Sequence, residues 1–322
     1  MSQNNTKASF NWFPGHMNKA LKEIEDLIVA VDFIIEIVDA RAPFSTRNPM
    51  MKKIGTSKNR LFVLTKGDLA DSIVTKQWMD YFKSKGDDCY LIDKKNKNIL
   101  PDIEKIINKR TEDQRKAAKR KGIDALLVNV LVVGIPNVGK STFISKLIKN
   151  KKIKIANMPG VTRGFQRFNL TPLITLIDTP GILPSKFDSE IQACNCIAIN
   201  AIRLDVIPKE RFATRIIKYI YDNYPSVIEA RYKTRKQFKR PINYDDSYKL
   251  FEEIARRSGL ILFQDIPDVD KSIALFIRDL LASKFLNVSF EKPLDIGDTS
   301  TIIISTQKEL DITEEFDNTI EW

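Results

Sequence analysis

A glycine-rich segment near the middle of the chain places the strongest constraint on its fold. Residues 134–141 read Gly-Ile-Pro-Asn-Val-Gly-Lys-Ser and match the phosphate-binding loop (P-loop) pattern in full. The segment follows an apolar run ending at Val133 and precedes a helical pattern from Thr142 to Lys149, as the strand-loop-helix motif requires. In such a loop, backbone amides and the lysine bind the phosphates, and the serine hydroxyl reaches Mg²⁺. We therefore expect nucleotide contacts from Asn137, Val138, Gly139, Lys140, Ser141 and Thr142.

Two further segments are spaced as the switch regions of a nucleotide hydrolase would be. Asp178-Thr-Pro-Gly181 closes an apolar strand 38 residues beyond Lys140. The Asp178 carboxylate is predicted to hold Mg²⁺ through water, and the Gly181 amide to sense the γ-phosphate. Between the two motifs, Pro159-Gly-Val-Thr162 forms a predicted turn. The Thr162 hydroxyl is expected to complete the Mg²⁺ coordination.

A guanine-recognition pattern lies upstream of the P-loop, at Thr65-Lys-Gly-Asp68. In this tetrad the Asp68 carboxylate accepts hydrogen bonds from guanine N1 and N2, and the Lys66 stem packs on the ring. Adenine has no such donor pair, so the tetrad, with Thr65, Lys66 and Asp68 as contacts, predicts GTP. Asp93-Lys-Lys95 stands where a second base-contacting loop would be, although its residues depart from the usual Ser-Ala-Lys.

The predicted fold is α/β, a circularly permuted P-loop GTPase domain followed by an all-helical C-terminal domain. Short apolar runs alternate with helical patterns, which is typical of a mainly parallel sheet. After about Ser185 the strand signal stops, and apolar residues recur at spacings of three and four. Predicted strands are Val31–Val38, Arg60–Thr65, Asp88–Ile92, Ala125–Val133 and Leu173–Ile177; a predicted helix is Ile99–Lys109. The expected divisions are 1–23 (N-terminal segment), 24–185 (GTPase domain), 186–293 (helical domain) and 294–322 (acidic tail).

The order of the motifs along the chain indicates a circular permutation. The base tetrad normally follows Asp-x-x-Gly but here precedes the P-loop. Cutting the chain after Asp-x-x-Gly and joining the old ends through a connection preserves the arrangement of the strands. The basic stretch Lys109–Lys121 is predicted to be that connection, as a solvated linker or a helix extension.

Composition restricts the partners. No apolar run approaches the ~18 residues of a membrane span, and the 3 cysteines fit neither a disulfide framework nor a zinc site. The net charge is +11; residues 294–322 contribute −7 and residues 1–293 therefore +18. A body this basic favours RNA, with lysine-rich codon usage as the alternative.

One segment of the helical half concentrates the positive charge. Six basic residues lie within ten positions, interleaved with Tyr232 and Phe238. The bases are predicted to neutralise RNA phosphates and the rings to stack on unpaired nucleotides; a solvated lysine-rich loop is the alternative. The six are Arg231, Lys233, Arg235, Lys236, Lys239 and Arg240.

Taken in order, these motifs resemble one family, the YlqF-type circularly permuted GTPases. The resemblance also includes Trp12–Met17 (WFPGHM), Asp39–Pro43 (DARAP) and Arg47–Pro49 (RNP), and it extends from about Phe10 to Pro293. It implies GTP hydrolysis and assembly of the large ribosomal subunit through its rRNA, in bacteria or mitochondria. It also implies Mg²⁺ as cofactor and stimulation by K⁺, with Asn137 as the K⁺ ligand.

The residue that positions the attacking water is expected outside the usual place. Ras-like enzymes use a glutamine after the Asp-x-x-Gly glycine, but here Ile182 and Leu183 follow. His16, the single histidine, matches the position proposed for this role in the family, and its near-neutral pKa suits it. Arg163 is the rival, and a packing role for His16 is the alternative.

Other functions remain open from sequence alone. One is a GTP-controlled RNA-binding module with negligible catalysis, and another is a P-loop ATPase or kinase, against which the tetrad at Thr65–Asp68 argues. The compartment is expected to be the mitochondrion (matrix, with inner-membrane association as an option), and the bacterial cytoplasm is the alternative.

Overall fold

A six-stranded sheet forms the first half of the molecule. The computed structural model describes residues 22–48, 51, 58–96, 98–148, 165–183, 187 and 189–293. The strands are β1 (Phe33–Asp39), β2 (Asn59–Thr65), β3 (Asp88–Leu91), β4 (Val128–Val133), β5 (Gln166–Thr171) and β6 (Ile174–Asp178). They lie in the order β3-β2-β1-β4-β6-β5, and only the β5–β6 pair is antiparallel.

Burial on both faces explains why the central strands are mostly apolar. Every residue of β1 is buried, and so are six of the seven residues of β2. Residues 22–27 are helical, and the further helices described in this half are α1 (Ser72–Ser84), α2 (Leu100–Arg110), α3 (Glu112–Arg120) and α4 (Lys140–Ile148). Trp78 and Phe82 of α1 cover one face of the sheet, whereas Ile103 and Ile107 of α2 cover the other.

The strand order confirms the permuted architecture. The P-loop strand β4 lies between β1 and β6, so it is flanked by strands from before and after it in sequence. The basic stretch Lys109–Lys121 is mostly helical: it contains α3, in which Ala118 is the one buried residue. The predicted connection between the old ends is therefore a short, solvated helix.

Helices make up the second half, as predicted. They are α5 (Glu190–Ala198), α6 (Lys209–Asn223), α7 (Pro225–Tyr232), α8 (Tyr244–Arg257) and α9 (Val269–Leu281). The apolar faces expected from the sequence are buried, including Phe212 and Ile216 of α6 and Phe276 of α9. In the described residues from 189 onward, β structure is limited to an isolated bridge between Ile261 and Pro267. None of the helices in the described part of the chain is long and apolar enough to cross a membrane.

After α9 the chain returns to the sheet domain along residues 287–292, here called the C-terminal strap. The Val288 amide donates to the Leu69 carbonyl at 3.2 Å, and the Phe290 amide donates to the Arg41 carbonyl at 2.7 Å. The two halves also share one continuous apolar core. The helical half is therefore packed directly against the loops that follow β1 and β2.

Candidate nucleotide-binding site

The P-loop, the Asp-x-x-Gly segment and the base tetrad meet at one edge of the sheet. Because β1, β2, β4 and β6 are parallel, their carboxyl ends share that edge, where α/β sheets bind ligands. Asp39 ends β1 beside Thr65 of β2, and Asp178 of β6 lies in register with Val132 of β4. Segments more than 100 residues apart in sequence thus form one site.

The P-loop has the backbone conformation its function requires. Gly139 has a φ of +96°, which disfavours any residue with a side chain, and Asn137 has a φ of 62°. The α4 helix begins directly afterwards, since the Phe143 amide donates to the Gly139 carbonyl at 2.9 Å. Its N-terminus therefore points backbone amides at the position predicted for the phosphates.

The charged groups expected at the phosphates and at Mg²⁺ are adjacent. The Lys140 ammonium contacts the Asp178 carboxylate, and Ser141 lies exposed in the first turn of α4. A Cβ on Gly181 would lie 3.2 Å from backbone atoms of Pro136, so this glycine lets the Asp-x-x-Gly segment approach the P-loop closely. Within the described ranges no group of three or more His, Cys, Asp or Glu side chains is arranged so that it could hold a metal ion. One carboxylate and one hydroxyl suffice for Mg²⁺, which usually retains waters and binds substrate phosphates.

The base tetrad lies against the P-loop. The Thr65 hydroxyl is 3.1 Å from the Val38 carbonyl and also contacts the Val138 carbonyl. The Lys66 ammonium donates to the Asn137 carbonyl at 2.8 Å. The tetrad strand and the phosphate loop are therefore joined by side-chain to backbone hydrogen bonds.

Asp68 and the loop after β3 lie together. The Asp68 carboxylate pairs with the Lys94 ammonium at 2.9 Å, and Asp68 is about three-quarters buried. The Gly67 amide donates to the Ile92 carbonyl at 3.2 Å, which joins the tetrad to the end of β3. The Asp93–Lys95 loop thus borders the predicted base pocket despite its unusual residues.

Sequence reasoning missed the importance of two residues in this site. Asp39 and Arg41 were noted only as part of a family motif, yet Asp39 is fully buried and pairs with Lys66 at 2.9 Å and Arg41 at 2.8 Å. Burial by itself would raise the pKa of Asp39, but Arg41 and Lys66 outweigh it and hold the pKa of that carboxyl below its usual value. An acid at the end of a mostly apolar strand, followed two residues later by an arginine, is the sequence signal that could have indicated this cluster.

Several predicted residues lie outside the described part of the chain. They include the catalytic candidate His16, the Mg²⁺ candidate Thr162 and the rival Arg163. By contrast, the residues after Asp-x-x-Gly are described: Ile182 and Leu183 are both buried. Neither side chain can orient water, so the need for another group holds.

The basic segment of the helical half is exposed, as a polyanion-binding surface must be. All six predicted bases have exposed side chains, although Arg231 pairs with Asp279 at 2.8 Å and Arg240 donates to the Asp222 carbonyl at 3.1 Å. The prediction about the rings was wrong for Tyr232, which is buried in the core with its hydroxyl 3.2 Å from Asp279. Phe238 is half-buried and packs edge-on against Tyr221.

Comparisons with known proteins agree with this arrangement. A family model described as 50S ribosome-binding GTPase matches residues 129–242. The chain is 35% identical over 289 residues to the ribosome biogenesis GTPase A of Bacillus licheniformis, covering 88% of this chain and 99% of the relative. It is 36% identical over 191 residues to the mouse mitochondrial ribosome-associated GTPase 1, covering 55% and 56% of the two chains. GNP-bound YlqF from Thermotoga maritima is a structural neighbour, with a TM-score of 0.56 and 28% identity over 86% of this chain and 100% of that one.

Proposed function

This chain belongs to the ribosome biogenesis GTPase A (YlqF) family, and from that premise we propose how it performs its task. Membership makes it a GTP-hydrolysing enzyme that acts in ribosome assembly. The proposal concerns the finer points: which residues bind and hydrolyse GTP, and that the target is the large ribosomal subunit, held through its rRNA. Residues 24–185 are proposed as the GTPase domain and 186–293 as the ribosome-binding domain.

One contact carries the assignment of the guanine site. The Lys66 ammonium lies 2.8 Å from the Asn137 carbonyl of the P-loop, although the two residues come from opposite sides of the permutation. A lysine in that position can lay its aliphatic stem along a base while its charge stays on the phosphate loop. With Asp68 beside it, the tetrad supports guanine as the base.

The proposed ligands of Mg²⁺ are Ser141, Thr162 and Asp178, and the ion would neutralise charge that develops on the β- and γ-phosphate oxygens. The family generally uses this cofactor. For K⁺ we propose Asn137, whose amide nitrogen donates to the Asn200 carbonyl at 3.1 Å. That hydrogen bond orients the amide, and its oxygen is the atom that would bind K⁺.

Water positioning is proposed for His16. The residues that directly follow Asp-x-x-Gly are Ile182 and Leu183, which are aliphatic and buried, so they cannot position the attacking water. The imidazole of histidine has two ring nitrogens and an ordinary pKa near neutrality, so it can hold a water molecule or exchange a proton with it.

The large ribosomal subunit is proposed as the partner because of charge and similarity together. Residues 1–293 carry +18, and the segment from Arg231 to Arg240 exposes six bases. Lysines and arginines of this density bind phosphates with a strong dependence on salt. The matching family model is itself described as 50S ribosome-binding, which supports this subunit.

The compartment is proposed to be the mitochondrion, with the bacterial cytoplasm as the alternative. The mouse relative supports the first, and the bacterial relatives, which align over more of the chain, support the second. Import of the full radiolabelled chain into isolated mitochondria, followed by protease treatment, separates them. Protected full-length or shortened chain supports the mitochondrion, and complete digestion supports the alternative.

Cosedimentation tests the proposed function directly. Purified protein is centrifuged with isolated large or small ribosomal subunits in the presence of GDP or a non-hydrolysable GTP analogue. We expect the protein to pellet with large subunits, more with the analogue than with GDP, and not with small subunits. Equal pelleting with both subunits, or none with either, would contradict the proposal.

A further inference from the structure

A buried cluster of charges links the nucleotide site to the helical half of the molecule. At its centre is Asp39, at the end of β1. One carboxylate oxygen accepts from the Arg41 amide at 3.0 Å and its Nε at 2.9 Å, and the other accepts from Nη2 at 2.8 Å. The second oxygen also lies 2.9 Å from the Lys66 ammonium. A single buried acid thus fixes two cations that point in different directions.

On one side, Asp39 determines where Lys66 lies. Lysine has a flexible four-carbon stem and a compact charge, so its position is specified only when its ammonium has fixed partners. Those partners are the Asp39 carboxylate and the Asn137 carbonyl, and together they place the ammonium between the sheet and the P-loop. Of these two partners, loss of Asp39 would leave Lys66 only the neutral Asn137 carbonyl.

On the other side, Arg41 contacts three segments of the helical half. Its Nη2 donates to the Ile199 carbonyl at 3.2 Å, and its Nη1 donates to the Ser283 hydroxyl at 3.1 Å. Its own carbonyl accepts from the Phe290 amide of the C-terminal strap at 2.7 Å. The end of α5 therefore presents a carbonyl to the guanidinium, in keeping with the negative pole of a helix C-terminus.

The turn after α5 also reaches the P-loop. Asn200, the residue after Ile199, has a φ of 60°, and its carbonyl accepts from the Asn137 amide nitrogen at 3.1 Å. The Asn200 carbonyl thus holds Asn137 of the phosphate loop. The Ile199 carbonyl before it holds Arg41, which is linked through Asp39 to Lys66 of the base tetrad.

We propose that Asp39 is a positioning residue for guanine-nucleotide binding. Through Arg41, the position of the Asp39 carboxylate depends on docking of the turn at Ile199–Asn200. Nucleotide affinity and docking of the helical half are then coupled, and the coupling is reciprocal: what loosens the turn weakens GDP binding, and GDP tightens the turn. The proposal rests on the guanine site assigned above.

The competing explanation is that Asp39 and Arg41 only stabilise the fold, and the chain contains a matched control for it. Asp279 is also buried, and it pairs with Arg231 at 2.8 Å and with the Tyr232 hydroxyl at 3.2 Å. All three residues belong to the helical half. Asp279→Asn therefore removes a buried carboxylate from its ion pair with Arg231, whose side chain is partly exposed, without touching the nucleotide site.

The first measurement is affinity for fluorescent GDP, carrying an N-methylanthraniloyl group, in the full chain. We expect Asp39→Asn and Arg41→Lys each to weaken binding by about 10-fold, the effect of one lost charged hydrogen bond. Asp279→Asn should bind as the parent does. Parent affinity in both site variants would overturn the proposal, and Arg41→Lys, which keeps the charge, decides the matter if Asp39→Asn does not fold.

The second measurement is hydrogen exchange in peptides covering residues 194–202. GDP should slow exchange there in the parent and slow it less in Arg41→Lys. Equal slowing in both proteins would overturn the coupling.

Asp68→Asn separates this proposal from the site assignment. If that variant does not shift its preference toward xanthine nucleotides, the guanine site is wrong. A shift combined with parent behaviour of Arg41→Lys refutes the coupling alone.

Discussion

Glu291 of the C-terminal strap provides a sharp test of how the two halves are joined. Its side chain is 7% exposed. The carboxylate accepts from the Ser45 amide at 3.0 Å and the Asn195 amide nitrogen at 3.3 Å, and it contacts the Ser45 hydroxyl and the Phe44 amide. Burial raises its pKa to about 7 from 4.5, although the hydrogen bonds from Ser45, Phe44 and Asn195 offset part of that rise.

The raised pKa fixes the sign and size of a pH effect. Because the folded protein holds this proton more tightly than the unfolded chain, the contribution of Glu291 to stability is greatest at low pH. It falls as pH rises between about 4.5 and 7 and is constant above that. A tenfold change in proton affinity is worth about 1.4 kcal/mol, so the whole effect is about 3 kcal/mol.

Glu291→Gln removes this titration while keeping an acceptor for the backbone amides. We expect the free energy of unfolding of the variant, relative to the parent, to increase by about 2.5 kcal/mol between pH 5 and pH 8, since part of the effect falls below pH 5. Urea unfolding at several pH values measures it, and Glu210→Gln, which changes an exposed carboxylate, should give a much flatter difference. A parent-minus-variant difference that does not change with pH would refute the reasoning.

The remaining predictions concern the nucleotide and RNA sites. Lys140→Ala should lower GTP affinity by at least about 100-fold in a binding titration, because it deletes a phosphate charge, and leave the circular dichroism spectrum unchanged; unaltered affinity would refute the assignment. His16→Ala should lower turnover with subunits present by about 10- to 1000-fold with little change in GTP affinity, whereas equal turnover would return it to a structural role. Reversing Arg235, Lys236 and Lys239 to Glu should weaken subunit binding and flatten its salt dependence without changing intrinsic GTPase activity, and a parent-like salt slope would mean a merely solvated surface.

Much of the fold was predictable because its signals are local. Strands β1, β2 and β4 are largely buried, so their sequences are mostly apolar; the P-loop directly follows β4, and the tetrad begins at the end of β2. Strand β5 was not predicted, since it is an antiparallel edge strand with only Phe168 and Leu170 buried. Helix α3 was equally difficult, because a single buried alanine gives no apolar period.

The connections between segments were not predictable in the same way. Arg41 meets Ile199 and Ser283 across 158 and 242 residues of sequence, and no local pattern records such pairing. For Tyr232, a local pattern led to a wrong prediction. Its neighbours in sequence are basic, which suggested that its ring stacks on RNA, but in α7 the ring lies in the core beside Phe285. Proximity in sequence to charged residues therefore did not determine exposure.

The central claim is that segments permuted in sequence form one guanine-specific hydrolytic site, and exchange of the base tests it most directly. Hydrolysis of GTP and XTP is measured for the parent and for Asp68→Asn, with large ribosomal subunits present. Because the C2 carbonyl of xanthine accepts from an amide where guanine has a donor, the variant should prefer XTP while the parent prefers GTP. A variant that still hydrolyses GTP in preference to XTP would show that Thr65–Asp68 is not the base site and would contradict the account.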